Sequence, residues 1–195
     1  MNIVVFDLET NGTGISPNTE SIIAISAVKM NAEYPTAVET FDTLVLGQPP
    51  VPSWVNLNQL REAPSIAEAL LDFSRFVGES LLISDNGPSQ QMPFIYESCT
   101  RRGIPMRELR LADLRDMARK LWGGSRIGGL SSIEENIRLS EPPVHLSRLA
   151  SRTHKLAEAV HLMWRELSSD FTRCPVSTNT GYLPDPAKAA SLSKA

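Results

Sequence analysis

The stretch "MNIVVFDLETNGTG" (residues 1–14) decides how the rest of the chain is read. A run of β-branched and aromatic residues, the composition of a strand, ends in Asp7 and Glu9, one residue apart. Side chains of a strand alternate with period two, so both acids face the same side. Two carboxylates on one face beside a buried strand repel each other unless something positive stands near. A metal ion, a basic side chain or solvent can supply that. The simplest alternative is a solvated acid pair that caps the following loop.

Working outward, "SIIAISAVKM" (21–30) and "VETFDTLVL" (38–46) read as the second and third strands. The connections are too short for helical crossovers, so the three form an antiparallel meander. "GQPPVPSWVN" (47–56) is irregular, because its prolines lack donors and restrict their neighbours. At Ser65 the period changes to 3.6. Ser65 and Glu68 form a capping box, Ile66, Ala69, Leu70, Phe73, Phe76 and Val77 make an apolar stripe, and Gly78 stops the helix. "SLLIS" (80–84) is a short strand before the turn "DNGPS", and a helix is expected from about Gln91 to Arg102, closing at Gly103. "LADLRDMARKLW" (111–122) reads as a helix or a strand-to-helix junction stopped by Gly123–Gly124. Ser131 or Ser132 is expected to cap a further helix. A last long helix carries Leu149, Leu156, Val160, Met163 and Leu167 on one face. After Ser168 the composition turns to Pro, Ser, Thr, Asn and Ala, which reads as a flexible tail over 168–195 behind a domain of 1–167. Three strands, a helix, a strand, then mostly helices define an α/β layered domain with a mixed sheet.

A chain of 195 residues with 42% apolar and 21% charged residues suits one soluble domain. There is no signal-peptide pattern at the N-terminus and no apolar run of membrane-spanning length. Cys99 and Cys174 lack partners at metal-ligand spacing, which disfavours zinc and fits a reducing, cytoplasmic setting. The net charge of −3 hides an asymmetry. Residues 1–100 carry three basic side chains against twelve acids, whereas residues 101–195 carry sixteen against ten. Such a division fits a protein that holds cations in one place and a polyanion in another. Solvated arginine-rich helix faces explain it equally well. Trp54, Trp122 and Trp164 read as packing residues.

A carboxylate pair at a strand end suits Mg²⁺ or Mn²⁺, which prefer oxygen ligands. Two such ions about 4 Å apart can activate water and stabilise the leaving oxygen in phosphodiester hydrolysis. "VVFDLETNGTG", "SIIAISAVKM" and "FDTLV", taken in order, resemble the first motif region of the DEDD superfamily of 3′–5′ exonucleases. "LLISDNGPSQQMPFIYESCTRRG" is similar to the family's second region, with Asn86, Gly87 and Ser89 matching. "LADLRDMARKL" and "RTHKLAEAVHLMWREL" resemble the later segments, so the likeness runs over about residues 2–167. It implies an RNase H-like mixed central sheet, antiparallel in its first three strands and flanked by helices. It also implies Asp7 and Glu9 as metal ligands and catalytic residues, with Mg²⁺ or Mn²⁺ as cofactor and nucleic acid as partner. His154 would be the water-activating base, with His145 as its rival. Thr10 and Asn86, with Arg101, Arg102 and Arg115 from the basic half, are the candidates to contact nucleic acid, DNA or RNA, the alternative for the arginines being a solvated face.

The departures matter as much. Gln91, or Gln90 on a neighbouring register, stands where the family's second region carries a metal-binding aspartate. Ala159 stands five residues after His154, and Ala150 five after His145, where an acid is expected. Glu158 and Asp85 are candidates to compensate. With only Asp7 and Glu9 intact, one ion is favoured over two. Two functions remain open: a metal-dependent 3′–5′ exonuclease of weak or altered activity, and a catalytically inactive pseudo-exonuclease that binds nucleic acid or a protein partner. A haloacid-dehalogenase-type phosphatase also begins with an acidic pair, but its downstream lysine and late acidic pair are missing.

Overall fold

The computed structural model describes residues 1–33, 39–47, 53, 55–123, 128–144 and 147–192. Six strands form one mixed sheet in the order β3-β2-β1-β4-β5-β6: β1 (Asn2–Thr10), β2 (Ile22–Asn31), β3 (Glu39–Leu44), β4 (Leu81–Ser84), β5 (Met106–Asp113) and β6 (Asn179–Pro184). The β1–β2 and β2–β3 pairs are antiparallel, as the short connections require. β1 pairs with β4, and β4 with β5, in parallel. The expected RNase H-like mixed sheet is therefore the observed one.

Both faces of the sheet are covered, which explains why β1 is an unbroken apolar run before Asp7. Ile3 and Val5 pack with α4 (Leu114–Trp122), α5 (Leu130–Glu134) and α6 (Arg148–Leu167), through Leu114, Met117, Ile133, Leu156, Val160 and Trp164. Val4 and Phe6 face the other way, against α2 (Ile66–Val77) and α3 (Met92–Thr100). Phe6 and Phe73 anchor that side with ring centroids 5.5 Å apart. Trp164 is fully buried and Trp122 packs on the same cluster, as packing residues should, while Trp54 lies outside the described residues.

The predicted α2 begins with its capping box formed in both directions, Ser65 Oγ accepting from Glu68 N and the Glu68 carboxylate accepting from Ser65 N at 2.9 Å. "LADLRDMARKLW" resolves as the junction: β5 runs through Asp113, which then caps α4 by accepting from Arg115 N. Neither Ser131 nor Ser132 caps α5. Gly129 precedes that helix at φ +101°, and Ser132 Oγ instead accepts from Gly128 N at 3.0 Å. Two further short helices, α1 (Leu57–Glu62) and α7 (Pro186–Leu192), lie outside the elements expected from periodicity.

The flexible tail expected from residue 168 is corrected over residues 179–184. They form β6, paired antiparallel with β5 from Leu111↔Asn179 to Met106↔Pro184. Leu183 is fully buried, and Ser74 Oγ donates to the buried Pro184 carbonyl at 2.6 Å. The polar, proline-flanked composition hid the strand because its order comes from a partner strand some seventy residues earlier. No helix among the described residues is long and apolar enough to cross a membrane.

Candidate active-site crevice

The site lies at the carboxyl ends of the parallel strands β1 and β4, where the chain's connections diverge and a crevice opens. Asp7 and Glu9 sit on the odd-numbered face of β1, the face α6 covers, and both line the crevice as their spacing requires. With them are Thr10, Asp85, Gln90, Gln91, Phe94, Arg152 and the loop Gly12–Gly14, around a cavity of about 170 Å³. Glu20 braces that loop, its carboxylate accepting from Thr13 N at 3.1 Å and Gly14 N at 2.7 Å.

Asp7 is fully buried. Its Oδ1 accepts from Gln91 Nε2 at 2.6 Å and from Leu8 N at 3.0 Å. Arg152 Nη1 lies 2.9 Å from Asp7 Oδ2, a charge contact not aimed along a hydrogen bond. The same guanidinium reaches Asp85 Oδ2 with Nη2 at 3.4 Å, while Arg115 Nε donates to Asp85 Oδ1 at 2.6 Å. Burial pushes the Asp7 carboxyl up to about 6; the Arg152 charge opposes this, and the Leu8 hydrogen bond does so less. Glu9 is also raised by burial, against the charges of Arg148 and Arg152. The positive partner at Asp7 is thus a basic side chain.

The register of the second region is settled by a π-helical turn over Gly87–Gln91. A π turn absorbs one extra residue in a helix start and often marks a functional site. It turns Gln91 inward, buried and bonded to Asp7, and leaves Gln90 exposed, with Nε2 3.4 Å from the Gly14 carbonyl. Asn86 makes the entry at φ 60°, and its N–H donates to Asp113 Oδ1 at 3.1 Å. Gln91 Oε1 is buried without a hydrogen-bond partner.

His154 does not join this constellation. It lies two residues beyond Arg152 on α6, about 200° round the helix, and lines a separate groove with Val28, Met30, Pro142, Pro143 and His161. Glu158 lies in that second groove too, its carboxylate accepting from Ser140 N and Oγ, each at 2.8 Å. It does not compensate for a missing ligand. Asp85 does come to the side of Asp7, where it is buried but spanned by two arginines. His145 lies outside the described residues. Arg115 is committed to Asp85, and Arg102, in the turn after α3, donates to the Ser98 carbonyl at 3.3 Å. Arg101 holds the crevice-side loop through the Pro17 carbonyl at 2.8 Å. Thr10 remains in the crevice wall, just past a bulge between Glu9 and Thr10.

Arg152 is the site residue that no motif marks. The signal was available: Arg148 and Arg152 are one turn apart on a helix whose buried stripe (Leu149, Leu156, Val160, Met163) fixes which face meets the sheet. With Arg152 in place, the donor set does not fit a divalent ion. Every carboxylate oxygen of Asp7 and Asp85 faces a nitrogen donor, and among the described residues no group of three or more His, Cys, Asp or Glu is placed to hold a metal.

No protein-family model matches the chain. The PolC-type DNA polymerase III of Clostridium perfringens (strain 13 / Type A) is 27% identical over 187 residues, which is 92% of this chain but 12% of that protein. Among solved structures, the nuclease domain of 3′hExo, a DEDDh family member bound to rAMP, superposes with a TM-score of 0.70 at 14% identity. That match covers 92% of this chain and 96% of the other. Exonuclease X in complex with 5′-overhanging duplex DNA gives a TM-score of 0.55 at 17% identity, covering 83% and 89%. The likeness read from the motifs is borne out: the chain has the RNase H-like fold of the DEDD 3′–5′ exonuclease superfamily.

Proposed function

We propose that this chain is a non-hydrolytic, nucleic-acid-binding domain on the 3′–5′ exonuclease fold, taking a nucleic-acid end into the crevice at the ends of β1 and β4. The observation that carries the reading is Arg152, whose guanidinium stands against both Asp7 and Asp85. Metal-assisted phosphodiester hydrolysis needs carboxylate oxygens free for ions and a base for the water. Here the oxygens of Asp7 and Asp85 already face nitrogen donors, which leaves Glu9 alone among the crevice acids, and His154 faces another groove. The binding half of the proposal rests on the fold, shared with a nuclease domain that holds rAMP and an exonuclease that holds DNA, and on Arg148 and Arg152 neutralising Glu9 and Asp7 so that a polyanion can approach. Free Cys99 and Cys174 agree with a reducing compartment such as the cytoplasm.

A second reading keeps a specific observation. The Arg152 side chain is 46% exposed, so a substrate phosphate could draw it away and admit an ion, giving a weak metal-dependent exonuclease. One assay separates the two. The protein is incubated with 5′-labelled single-stranded DNA and RNA in Mg²⁺, Mn²⁺ or EDTA, beside Asp7→Ala. The expected result is a mobility shift that persists in EDTA, with no shortening above the Asp7→Ala control. Metal-dependent shortening that the control lacks establishes the exonuclease reading instead.

A further inference from the structure

We infer that this chain keeps a divalent-cation site shut with its own arginine: Arg152 holds the place between Asp7 and Asp85 that an ion would take, and Mg²⁺ or Mn²⁺ binds there only once that guanidinium is removed. The inference deepens the non-hydrolytic reading and rests on it, yet asks a separate question about what balances the buried acids.

Asp7 ends β1 and Asp85 follows β4, so adjacent parallel strands deliver two buried carboxylates to one spot. Burying both as anions is costly unless positive charge and donors meet them. A divalent ion is one solution and a planar guanidinium is another, since its fork can face two acceptors at once. The structure shows the second: Nη1 at 2.9 Å from Asp7 Oδ2 and Nη2 at 3.4 Å from Asp85 Oδ2. The outer oxygens are taken by Gln91 Nε2 on Asp7 Oδ1 and by Arg115 Nε on Asp85 Oδ1, each at 2.6 Å. Mg²⁺ demands oxygens at about 2.0–2.1 Å in near-octahedral order, which a cation already at those oxygens prevents by both charge and volume.

The arginine is placed rather than incidental. Its root is fixed, because Leu149, Leu156, Val160 and Met163 are buried along α6 and hold that face to the sheet. Gln91 serves the same acid from the other side, its Oε1 buried with no hydrogen-bond partner while its Nε2 donates to Asp7. An amide spent in this way supplies a neutral donor where an acid would have supplied a ligand. The guanidinium lies at the crevice mouth and is half-exposed, so truncating it uncovers oxygens without removing core.

The test is Mn²⁺ binding, read by loss of the free-ion electron paramagnetic resonance signal and by Tm, for wild type, Asp7→Asn, Arg152→Gln and Arg152→Gln/Asp7→Asn. Wild type is expected to leave the Mn²⁺ signal unchanged and to melt at the same temperature in Mn²⁺ and in EDTA. Arg152→Gln is expected to take up Mn²⁺ and, at about 100 times its Kd, to gain roughly 5–10 °C in Tm, a gain the added Asp7→Asn removes. Wild-type Mn²⁺ binding that Asp7→Asn abolishes overturns the inference whatever the variants do. A folded Arg152→Gln, by far-ultraviolet circular dichroism, that ignores Mn²⁺ also overturns it. If Arg152→Gln folds only with Mn²⁺ and unfolds with EDTA, the inference is supported; if Mn²⁺ does not restore it, the inference fails, because an ion site in the folded state must stabilise that state. Failure of nucleic-acid binding in EDTA would sink the proposed function alone and leave the Mn²⁺ result standing.

Discussion

At the scale of single residues, the centre of the molecule is a carboxylate that burial disfavours and arginine rescues. Asp7 has its folded pKa raised from 3.8 to about 6. A raised carboxylate favours the folded state fully below the unfolded pKa and loses that contribution as pH rises through the folded one. The stability of wild type relative to Asp7→Asn should therefore be greatest near pH 3.8 and fall by up to about 3 kcal/mol by pH 7. Urea unfolding of both proteins across pH 4–8 measures it; parallel curves would show that Asp7 does not titrate as its burial demands. Removing Arg152 works in the opposite direction. Arg152→Ala leaves Asp7 and Asp85 facing each other, and should cost about 1–3 kcal/mol at pH 7.5, discounted for the exposed guanidinium, with a smaller cost at pH 5 where Asp7 takes a proton. The same urea titrations read this as a pH-dependent gap between variant and wild type.

At the scale of elements, each piece places a residue that its own sequence does not explain. The π-helical turn Gly87–Gln91 decides that Gln91 and not Gln90 meets Asp7, and the face of α6 decides that Arg152 and not His154 does. Leu183→Ala should cost about 2–5 kcal/mol, and truncation after Ser177 should cost more, because β6 completes the sheet against β5 and receives the Ser74 hydrogen bond. A truncated protein that melts with wild type would restore the flexible-tail reading. Ser65→Ala breaks the reciprocal cap of α2 and should cost about 1 kcal/mol without touching the crevice, seen as a shift in urea midpoint at constant m.

At the scale of the whole molecule, the sheet brings charges from distant segments into one crevice whose balance is neither that of the acidic first half nor that of the basic second. Polyanion binding there should fall steeply with salt, as counterion release requires, and should not respond to EDTA; a mobility assay from 50 to 200 mM salt checks both. The meander, the capping box, the two apolar layers, the acidic pair on one face and the DEDD-like order of elements are legible in the residues alone. All of these follow from local periodicity, turn chemistry and short connections, which a chain carries along its length. That Arg152 answers Asp7, that Gln91 donates where an acid was expected, that His154 and Glu158 face another groove, and that residues 179–184 are a strand emerges only in the packed fold. Each of those depends on a helix rotation, a single inserted residue or a partner strand far away in the chain, and such quantities are fixed by packing rather than by any local pattern.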